Sequence, residues 1–355
     1  MNTKTKLDSH SRMVGDSLRE MPRQLWQTWN DLKSVKISAT YAKTKDIIFC
    51  GMGGSNLASE MVRANYANEI KKPFILIRNY NLPAFASKDS LIIISSYSGD
   101  TEEIVNCLNE ALKLKAKIIC ITGGGKISQL AQKHKLPLLK LDDKLNPSKQ
   151  PRYAVGSQLG AVLYALSSVK AIKVTDSDIN RSVEYLEVLS GLFSPTVPGN
   201  KNLAKSLAKK FQGFVPIIVA SDFLLPNAHI LTNQINESAK TFCVYNAIPE
   251  LNHHLLEGLQ LPKEVIKRIK VLLLNSNLYS PAIKARYTAT EKVLKKKQMS
   301  YVEYTLENSS QLLSSLEALS FGSWFSFYLS QLNRQDPTKI PWVNYFKDQL
   351  KKLRK

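Results

Sequence analysis

The chain has 355 residues, of which 44% are hydrophobic and 22% are charged, and its formal net charge is +20 at pH 7. This length allows two domains or one large one, and the composition is ordinary for a globular protein. No apolar run reaches the roughly 20 residues of a membrane-spanning helix, and the N-terminal stretch MNTKTKLDSHSRM lacks the apolar core of a signal peptide. We therefore expect a cytoplasmic protein with no membrane partner.

The cysteines and the positive charge exclude several other classes of protein. Cys50, Cys107, Cys120 and Cys243 are scattered among apolar neighbours and form no C-x-x-C pair, so we expect buried free thiols rather than disulfides or a zinc site. The basic residues are spread over helical stretches such as KLKAK and KVLKKK, without a recognised nucleic-acid-binding motif. The charge therefore predicts no specific nucleic-acid partner, but it is compatible with an anionic small substrate.

Short β-branched runs alternate with helical patterns in the first half of the chain. After the third run, for example, apolar residues recur at the spacing of an amphipathic helix. This β-α-β order with short loops predicts a parallel sheet with helices on both faces. The predicted strands are DIIFC (46–50), FILI (74–77), LIIISS (91–96), KIICIT (117–122) and LPLLKL (136–141).

The same alternation restarts after the break SPTVPGN, and helices are predicted near 154–170 and over DIN…YLEVL before that break. We therefore predict an α/β fold of two domains, 1–152 and 153–355, each a mostly parallel sheet between two helical layers. Ligands of such folds bind at the carboxyl ends of strands or in the cleft between domains. The second half has predicted strands VPIIVA (215–220), CVYNAI (243–248), IKVLLLN (269–275) and YVEYTL (301–306), with helices near 226–240, 282–296, 309–332 and 341–353.

The stretch GMGGSN (51–56) follows the first predicted strand and opens a helix. Glycines there allow a ligand to approach the backbone, and the free N–H groups of the helix start attract anions. The pattern lacks the third glycine and the later acid of a dinucleotide-binding fingerprint, and it lacks the lysine of an ATP-binding loop. A tight strand-to-helix turn with no ligand explains it equally well.

The stretch SSYSGDTEE (95–103) follows the third predicted strand. Asp100 and Glu103 have the spacing of an acidic capping box, which predicts that they cap the next helix. Capping does not explain the three hydroxyls of Ser96, Ser98 and Thr101. Together with the amides of a helix start, these hydroxyls can hold a phosphate group.

These two loops together resemble the SIS (sugar isomerase) domain, whose phosphosugar site combines a glycine-serine turn with an S-x-S-x-x-T loop. SYSGDT matches that loop, with aspartate where SYSGNT is common. Further segments make the chain similar, nearly from end to end, to the bifunctional phosphoglucose/phosphomannose isomerase family, which implies two SIS-type domains. They are MPRQL near Met21, PRYAVG (151–156), NQINESAK (233–240), IPELNHHLLEG (248–258) and DPTKIPWVNYFK (336–347).

The resemblance implies a role for several matched residues. Glu237 is implied as the base that moves a proton between C2 and C1, which is a task for one carboxylate. His253, which directly follows Asn252 as in the family pattern, is implied as the group that opens the sugar ring, in preference to His254. Arg152 is implied to stabilise the negative charge of the cis-enediolate.

Ordinary structural explanations stay open for the same residues, since a helical glutamate, a loop histidine or a surface arginine is commonly just solvated. Lys347 is implied as a second ring-opening group and Thr338 as a substrate contact, on a weaker match in which Phe346 replaces leucine. Asp222, Asn227 and His229 follow a predicted strand, and we expect them to serve loop structure. The phosphate is implied to bind Gly54, Ser55, Ser96, Ser98 and Thr101.

The resemblance implies an isomerase that interconverts glucose 6-phosphate or mannose 6-phosphate with fructose 6-phosphate, without a metal or any other cofactor. It also implies a homodimer in which His253 acts in the site of the other subunit. Two alternatives remain: a non-catalytic phosphosugar-binding regulator, and another phosphosugar isomerase of the same superfamily. The set of Glu237, His253 and Arg152 favours the enzyme over the regulator, and the second alternative gives no reason for PELNH.

Overall fold

The first half of the chain folds around a five-stranded parallel sheet. The computed structural model describes residues 8–353. In this sheet the strand order is β2-β1-β3-β4-β5, and every neighbouring pair is parallel. The strands are β1 (Asp46–Gly51), β2 (Phe74–Ile77), β3 (Ser90–Ser96), β4 (Lys117–Thr122) and β5 (Leu138–Lys140).

A second, four-stranded parallel sheet lies in the second half, with the order β7-β6-β8-β9. The two sheets confirm the predicted α/β class and the parallel pairing. All nine predicted strands are present with small shifts at their ends. The strands of this sheet are β6 (Val215–Ala220), β7 (Val244–Ala247), β8 (Ile269–Ser276) and β9 (Ser300–Leu306).

Helices fill the space between and around the sheets. The helix predicted near 226–240 is an α-helix that continues into a π-helical turn, Ile235–Ala239. The helices are α1 (Ser9–Arg19), α2 (Met21–Leu32), α3 (Gly54–Asn65), α4 (Glu102–Lys113), α5 (Gly125–Lys133), α6 (Val155–Ser168), α7 (Asp176–Phe193), α8 (Leu203–Phe211), α9 (Leu225–Gln234), α10 (Leu255–Gly258), α11 (Lys263–Ile266), α12 (Pro281–Lys296), α13 (Gln311–Leu332) and α14 (Pro341–Leu353).

Two hydrophobic cores cover the two faces of the first sheet. Ile47 and Phe49 of β1 face a large core that runs through α2, α3, α6, α9 and α13 to the second sheet. Ile48 and Cys50 point the other way, into a smaller core under α4 and α5. This alternation follows from the period of two in a strand, and it explains why strands covered on both faces read as continuous apolar runs.

The central helix α13 is buried on all sides along most of its length, as expected for a helix that is apolar all round. No helix within residues 8–353 has the combined length and apolarity needed to cross a membrane. All four cysteines are buried and free, as predicted. In the same described range, no three His, Cys, Asp or Glu side chains are grouped so that they could hold a metal ion.

The strand order brings the two glycine- and serine-rich loops together. From β1 the chain crosses to β2 on one side of the sheet, and from β3 it crosses to β4 on the other. The carboxyl ends of β1 and β3 are therefore neighbours at the point where the strand order reverses. In open α/β sheets this is the usual position of a ligand site.

Candidate active site

The GMGGSN turn brings the start of α3 close to the segment that precedes α6. Gly53 has a φ of +51°, in the left-handed region that favours glycine. At Gly54 an added Cβ would lie 3.1 Å from Cβ of Pro151, so a residue without a side chain allows this approach. The start of α3 therefore packs closely against the Pro151–Tyr153 turn.

Ser55 connects this turn to the loop after β3. Its hydroxyl accepts a hydrogen bond from the backbone N–H of Tyr97 at 2.9 Å, and its carbonyl accepts one from the hydroxyl of Ser95 at 3.0 Å. Because a hydroxyl that accepts from an N–H still has its own proton, Ser55 can donate a hydrogen bond to an anion.

The three predicted phosphate-binding hydroxyls lie between the end of β3 and the start of α4, and two of them are in contact. The hydroxyl oxygens of Ser96 and Thr101 are 2.9 Å apart, and the N–H of Gly99 donates to Ser96 at 3.1 Å. Ser98 is exposed, and its hydroxyl accepts from the N–H of Asp100 at 3.3 Å. The loop thus places these hydroxyls beside the first turn of α4.

The predicted capping box of Asp100 and Glu103 is wrong. The N-cap residue of α4 is Thr101, and it has no side-chain capping bond. The carboxylate of Asp100 instead accepts a hydrogen bond of 3.0 Å from the backbone N–H of Lys126, in the first turn of α5. The acid therefore ties the loop to a neighbouring helix, because β3 and β4 are adjacent and their following loops touch.

Three glycines after β4 support the same loop, a role that the sequence interpretation missed. A Cβ added at Gly99, where φ is +78°, would lie only 1.8 Å from the carbonyl oxygen of Gly124. A Cβ at Gly125, where φ is +64°, would lie 2.6 Å from the carbonyl oxygen of Ser98. The backbone N–H of Ile127 also donates to the carbonyl of Gly99 at 3.0 Å. The run GGG at the end of a strand was the available signal.

Arg152 and Glu237 are in direct contact. The guanidinium is only 4% exposed, and its Nη1 donates to Oε2 of Glu237 at 2.9 Å and to Oε1 of Gln150 at 3.1 Å. Its Nη2 donates to the carbonyl oxygens of Pro337 at 2.6 Å and Thr338 at 3.1 Å. Arg152 is therefore not a solvated surface cation, and four acceptors fix its orientation.

Glu237 lies in the π-helical turn that extends α9, a type of irregularity frequent at functional sites. Its side chain is 38% exposed, so the carboxylate is held by Arg152 on one oxygen and still reaches solvent. The turn ends at Lys240, whose Nζ donates to the carbonyls of Glu237 and Asp336. Burial, together with the nearby charge of Arg152, lowers the pKa of Lys240.

Thr338 contacts this site through its backbone. Its carbonyl accepts from Arg152, whereas its hydroxyl and its N–H both donate to Oδ1 of Asp336, at 2.6 and 2.8 Å. The other oxygen of Asp336 lies 2.6 Å from Nδ1 of His10. Burial would raise the pKa of Asp336, but the hydrogen bonds from Thr338 and His10 outweigh it and lower that pKa to about 2.

His253 and Lys347 make no hydrogen bond or ion pair with Arg152 or Glu237. His253 ends the turn Glu250–His253 after β7, is exposed, and has no polar partner within residues 8–353. Lys347 lies on α14, a helix with no buried residue, and it too has no polar partner in the described range. One chain therefore brings together the arginine and the glutamate, but not the two predicted ring-opening groups.

Comparisons with known proteins match one segment in each half of the chain. Residues 40–141 match the SIS domain, and residues 200–350 match the bacterial phospho-glucose isomerase C-terminal SIS domain. The chain is 28% identical, over 340 residues, to the bifunctional phosphoglucose/phosphomannose isomerase of Caldicellulosiruptor bescii, covering 96% of this chain and 99% of that protein. A protein of the same name from Aquifex aeolicus is 28% identical over 328 residues, which are 91% of this chain and 96% of that protein.

The fold also has solved counterparts. The crystal structure of a hypothetical protein from Thermus thermophilus superimposes with a TM-score of 0.73. The two sequences are 15% identical, and the alignment covers 98% of this chain and 91% of that one. At this identity the likeness shows a shared fold.

Proposed function

Because this chain belongs to the bifunctional phosphoglucose/phosphomannose isomerase family of SIS-domain sugar isomerases, we propose that it interconverts glucose 6-phosphate and mannose 6-phosphate with fructose 6-phosphate. The observation that carries the proposal is the 2.9 Å contact between the buried Arg152 and the partly exposed Glu237. Moving a proton between a carbonyl carbon and the carbon beside it calls for a base that carries the proton. A fixed positive charge can stabilise the negative oxygen of the intermediate.

The phosphate group is proposed to bind between the start of α3 and the loop that leads into α4. Ser55, Ser96, Ser98 and Thr101 provide hydroxyl donors, and Gly54 provides a backbone amide. Ser55 already accepts a hydrogen bond from a backbone N–H, so its hydroxyl proton can turn towards an anion. The hydroxyls of Ser96 and Thr101 share one hydrogen bond, which leaves one proton of that pair for the same purpose. Two helix N-termini add positive potential without a lysine in the loop.

Glu237 then takes the proton from C2 of the open-chain aldose and returns it at C1, while the proton of the O2 hydroxyl passes to O1, so that C1 becomes an alcohol and C2 the new carbonyl. Since Oε2 is bonded to Arg152, the carboxylate is oriented with Oε1 left to accept the proton. The electron pair released at C2 forms the cis-enediolate, whose negative oxygen the guanidinium stabilises.

The ring-opening step is proposed to use a second subunit. Opening the pyranose removes a proton from O1 and adds one to O5, a task suited to an imidazole, which has one nitrogen that accepts a proton and one that donates. His253 is exposed and without a polar partner in the described chain, as expected for a group that acts in the site of a homodimer partner. On α14, Trp342 is 81% and Phe346 63% exposed, so the helix that carries Lys347 has an apolar face for such an interface.

The proposal also includes a contribution of Lys347 to ring opening, contact of Thr338 with the sugar, and a division into domains at 152/153. It further includes a cytoplasmic enzyme that needs no metal or other cofactor and has no nucleic-acid partner.

The proposal is tested by supplying fructose 6-phosphate to the purified protein in the presence of a chelator and measuring glucose 6-phosphate through a coupled dehydrogenase. Formation of glucose 6-phosphate at a rate proportional to protein concentration is expected. Measurable binding of hexose phosphates without any turnover would instead indicate a phosphosugar-binding regulator.

A further inference from the structure

A buried ionic cluster lies between α3, which carries the phosphate turn at its start, and α9, which leads into the turn of the base. Its centre is Glu60 of α3, a carboxylate only 7% exposed. Its Oε2 lies 3.0 Å from Nδ1 of His229 on α9. Its Oε1 accepts from Asn56 at 3.1 Å and is paired with Arg78, which follows β2. Both oxygens of this buried acid are therefore satisfied.

His229 is fixed from both sides of its ring. Nε2 lies 3.1 Å from the side-chain nitrogen of Asn233, one turn further along α9. An amide nitrogen can only donate, so Nε2 accepts, and the ring proton is on Nδ1, where it is donated to Glu60. The ring also stacks on Tyr245 of β7, with 4.9 Å between centroids.

The expectation that Asn227 and His229 serve a loop is wrong, because both lie within α9; Asp222 does lie in the loop after β6. Asn227 reaches Met61 of α3 and donates to the carbonyl of Ser315 on α13 at 2.8 Å. Helix α9 is therefore attached by polar groups to two neighbouring helices. Such directional bonds fix rotation and register more strictly than apolar contacts do.

The cluster connects the two helices that carry the two ends of the proposed site, the phosphate-binding turn and the base. Ser55 stands about one and a half turns before Glu60 on α3, and Glu237 stands eight residues after His229, roughly 12 Å along the helix. A hexose 6-phosphate has a fixed chain length between its phosphate and C2. The register between α3 and α9 therefore sets whether the base reaches C2 when the phosphate is bound.

We propose that Glu60 and His229 are positioning residues that set the distance between the phosphate-binding turn and the base. The inference rests on the proposed isomerase function. Neither residue touches the proposed reacting groups, so the pair acts only through the helices that carry Ser55 and Glu237. A misplacement of about 1 Å in such a geometry can lower the rate about 10²-fold while leaving the binding of one end of the ligand intact.

The test compares two substitutions of His229. His229→Phe keeps a ring over Tyr245 but removes both hydrogen bonds, whereas His229→Asn keeps a donor near the position of Nδ1. His134→Phe, at an exposed residue after α5, is the matched control. For each variant, kcat and KM are measured with fructose 6-phosphate, and calorimetry gives the affinity for sorbitol 6-phosphate, which lacks the carbonyl and cannot react.

We expect kcat of His229→Phe to fall about 10- to 100-fold, with the affinity for sorbitol 6-phosphate within about twofold of the original. His229→Asn should recover most of kcat, and His134→Phe should be unchanged. An unchanged kcat in His229→Phe, or an equal loss of kcat and sorbitol 6-phosphate affinity, would overturn the proposal.

A second variant covers the case in which His229→Phe does not fold. Glu60→Gln keeps the volume and an acceptor for His229 but removes the charge paired with Arg78, and it should lower kcat with the sorbitol 6-phosphate affinity preserved. An unchanged kcat in this variant contradicts the positioning role. Activity of the original protein is measured first: an inactive protein overturns the isomerase function and this inference with it, whereas an active protein with equally active variants overturns this inference alone.

Discussion

The proposed phosphate end and reacting end of the site are built in different ways. At the phosphate end, turns, amides and hydroxyls from α3, α4 and the GGG turn are mutually hydrogen-bonded within one chain. At the reacting end, Arg152 and Glu237 are equally well fixed, but His253 and Lys347 stand apart from them. Under the proposed function, a single chain would hold the phosphosugar and place its base, and the ring-opening group would come from a second subunit.

The largest expected effect is at the base. Glu237→Gln keeps the shape of the side chain and a bond to Arg152 but cannot take a proton, so kcat should fall by about 10²–10⁴-fold. Affinity for sorbitol 6-phosphate should persist, because the phosphate end is separate. Glu184→Gln, at an exposed glutamate of α7, is the control. Turnover of Glu237→Gln at the original rate would exclude Glu237 as the base.

A subunit-mixing experiment sharpens the contrast between the two ends. His253→Ala and Glu237→Gln should each be nearly inactive with ring-form substrate. Mixed and allowed to exchange subunits, they should recover about a quarter of the original sites, since random pairing gives half mixed dimers with one intact site each. Activity is measured before and after mixing. If labelled subunits show that exchange took place but activity does not recover, His253 acts in the site of its own chain or in no site.

A substitution that adds a single methyl group tests the phosphate end. Gly99→Ala places a Cβ against the carbonyl of Gly124 at a positive φ, so the loop with Ser96 and Thr101 must move. We expect weaker binding of sorbitol 6-phosphate, by at least about tenfold, as hydrogen bonds to a charged group are lost. Gly191→Ala, where an added Cβ meets no other atom within 4 Å, is the control. Equal affinities in the two variants would contradict the proposed phosphate site.

The smallest expected effect is at Asp336. This residue holds Thr338, whose carbonyl accepts a hydrogen bond from Arg152. The pKa of Asp336 is lowered to about 2 from 3.8, so the ionised carboxylate stabilises the fold above about pH 4, and this contribution disappears as the pH falls towards 2. Asp336→Asn should lower the free energy of unfolding by about 2 kcal/mol near pH 6, and by less below pH 4. Urea unfolding across this pH range measures the loss of unfolding free energy, with Asp31→Asn, at an exposed residue, as the control. A loss in Asp336→Asn that does not change with pH would contradict the role of the ionised carboxylate.

The sequence predicted what depends on local pattern. Both sheets follow from β-branched runs, and α3, α6 and α9 follow from helical spacing. Helices α1 and α2 were not predicted, because their stretch looks polar overall; Val14, Leu18, Met21 and Leu25 nevertheless recur at helical spacing and all are buried. That spacing is the signal for both helices in the sequence, although the composition of the stretch is polar.

Contacts between distant segments could not be predicted in the same way. Asp100 has a good capping partner three residues later in the sequence, but it bonds to Lys126, which only the adjacency of β3 and β4 brings near. Glu60 and His229 are 169 residues apart and belong to no motif. Glu237 and Arg152 were identified through family resemblance, and their contact required the folded chain.

The central claim is tested most directly with mannose 6-phosphate as the only sugar. The purified protein is incubated with it in the presence of a chelator, and the sugar phosphates are followed by nuclear magnetic resonance in one sample. We expect fructose 6-phosphate to appear first and glucose 6-phosphate to follow it, because both aldoses share one enediolate. Mannose 6-phosphate that stays unchanged at concentrations where its binding is measurable would contradict the account.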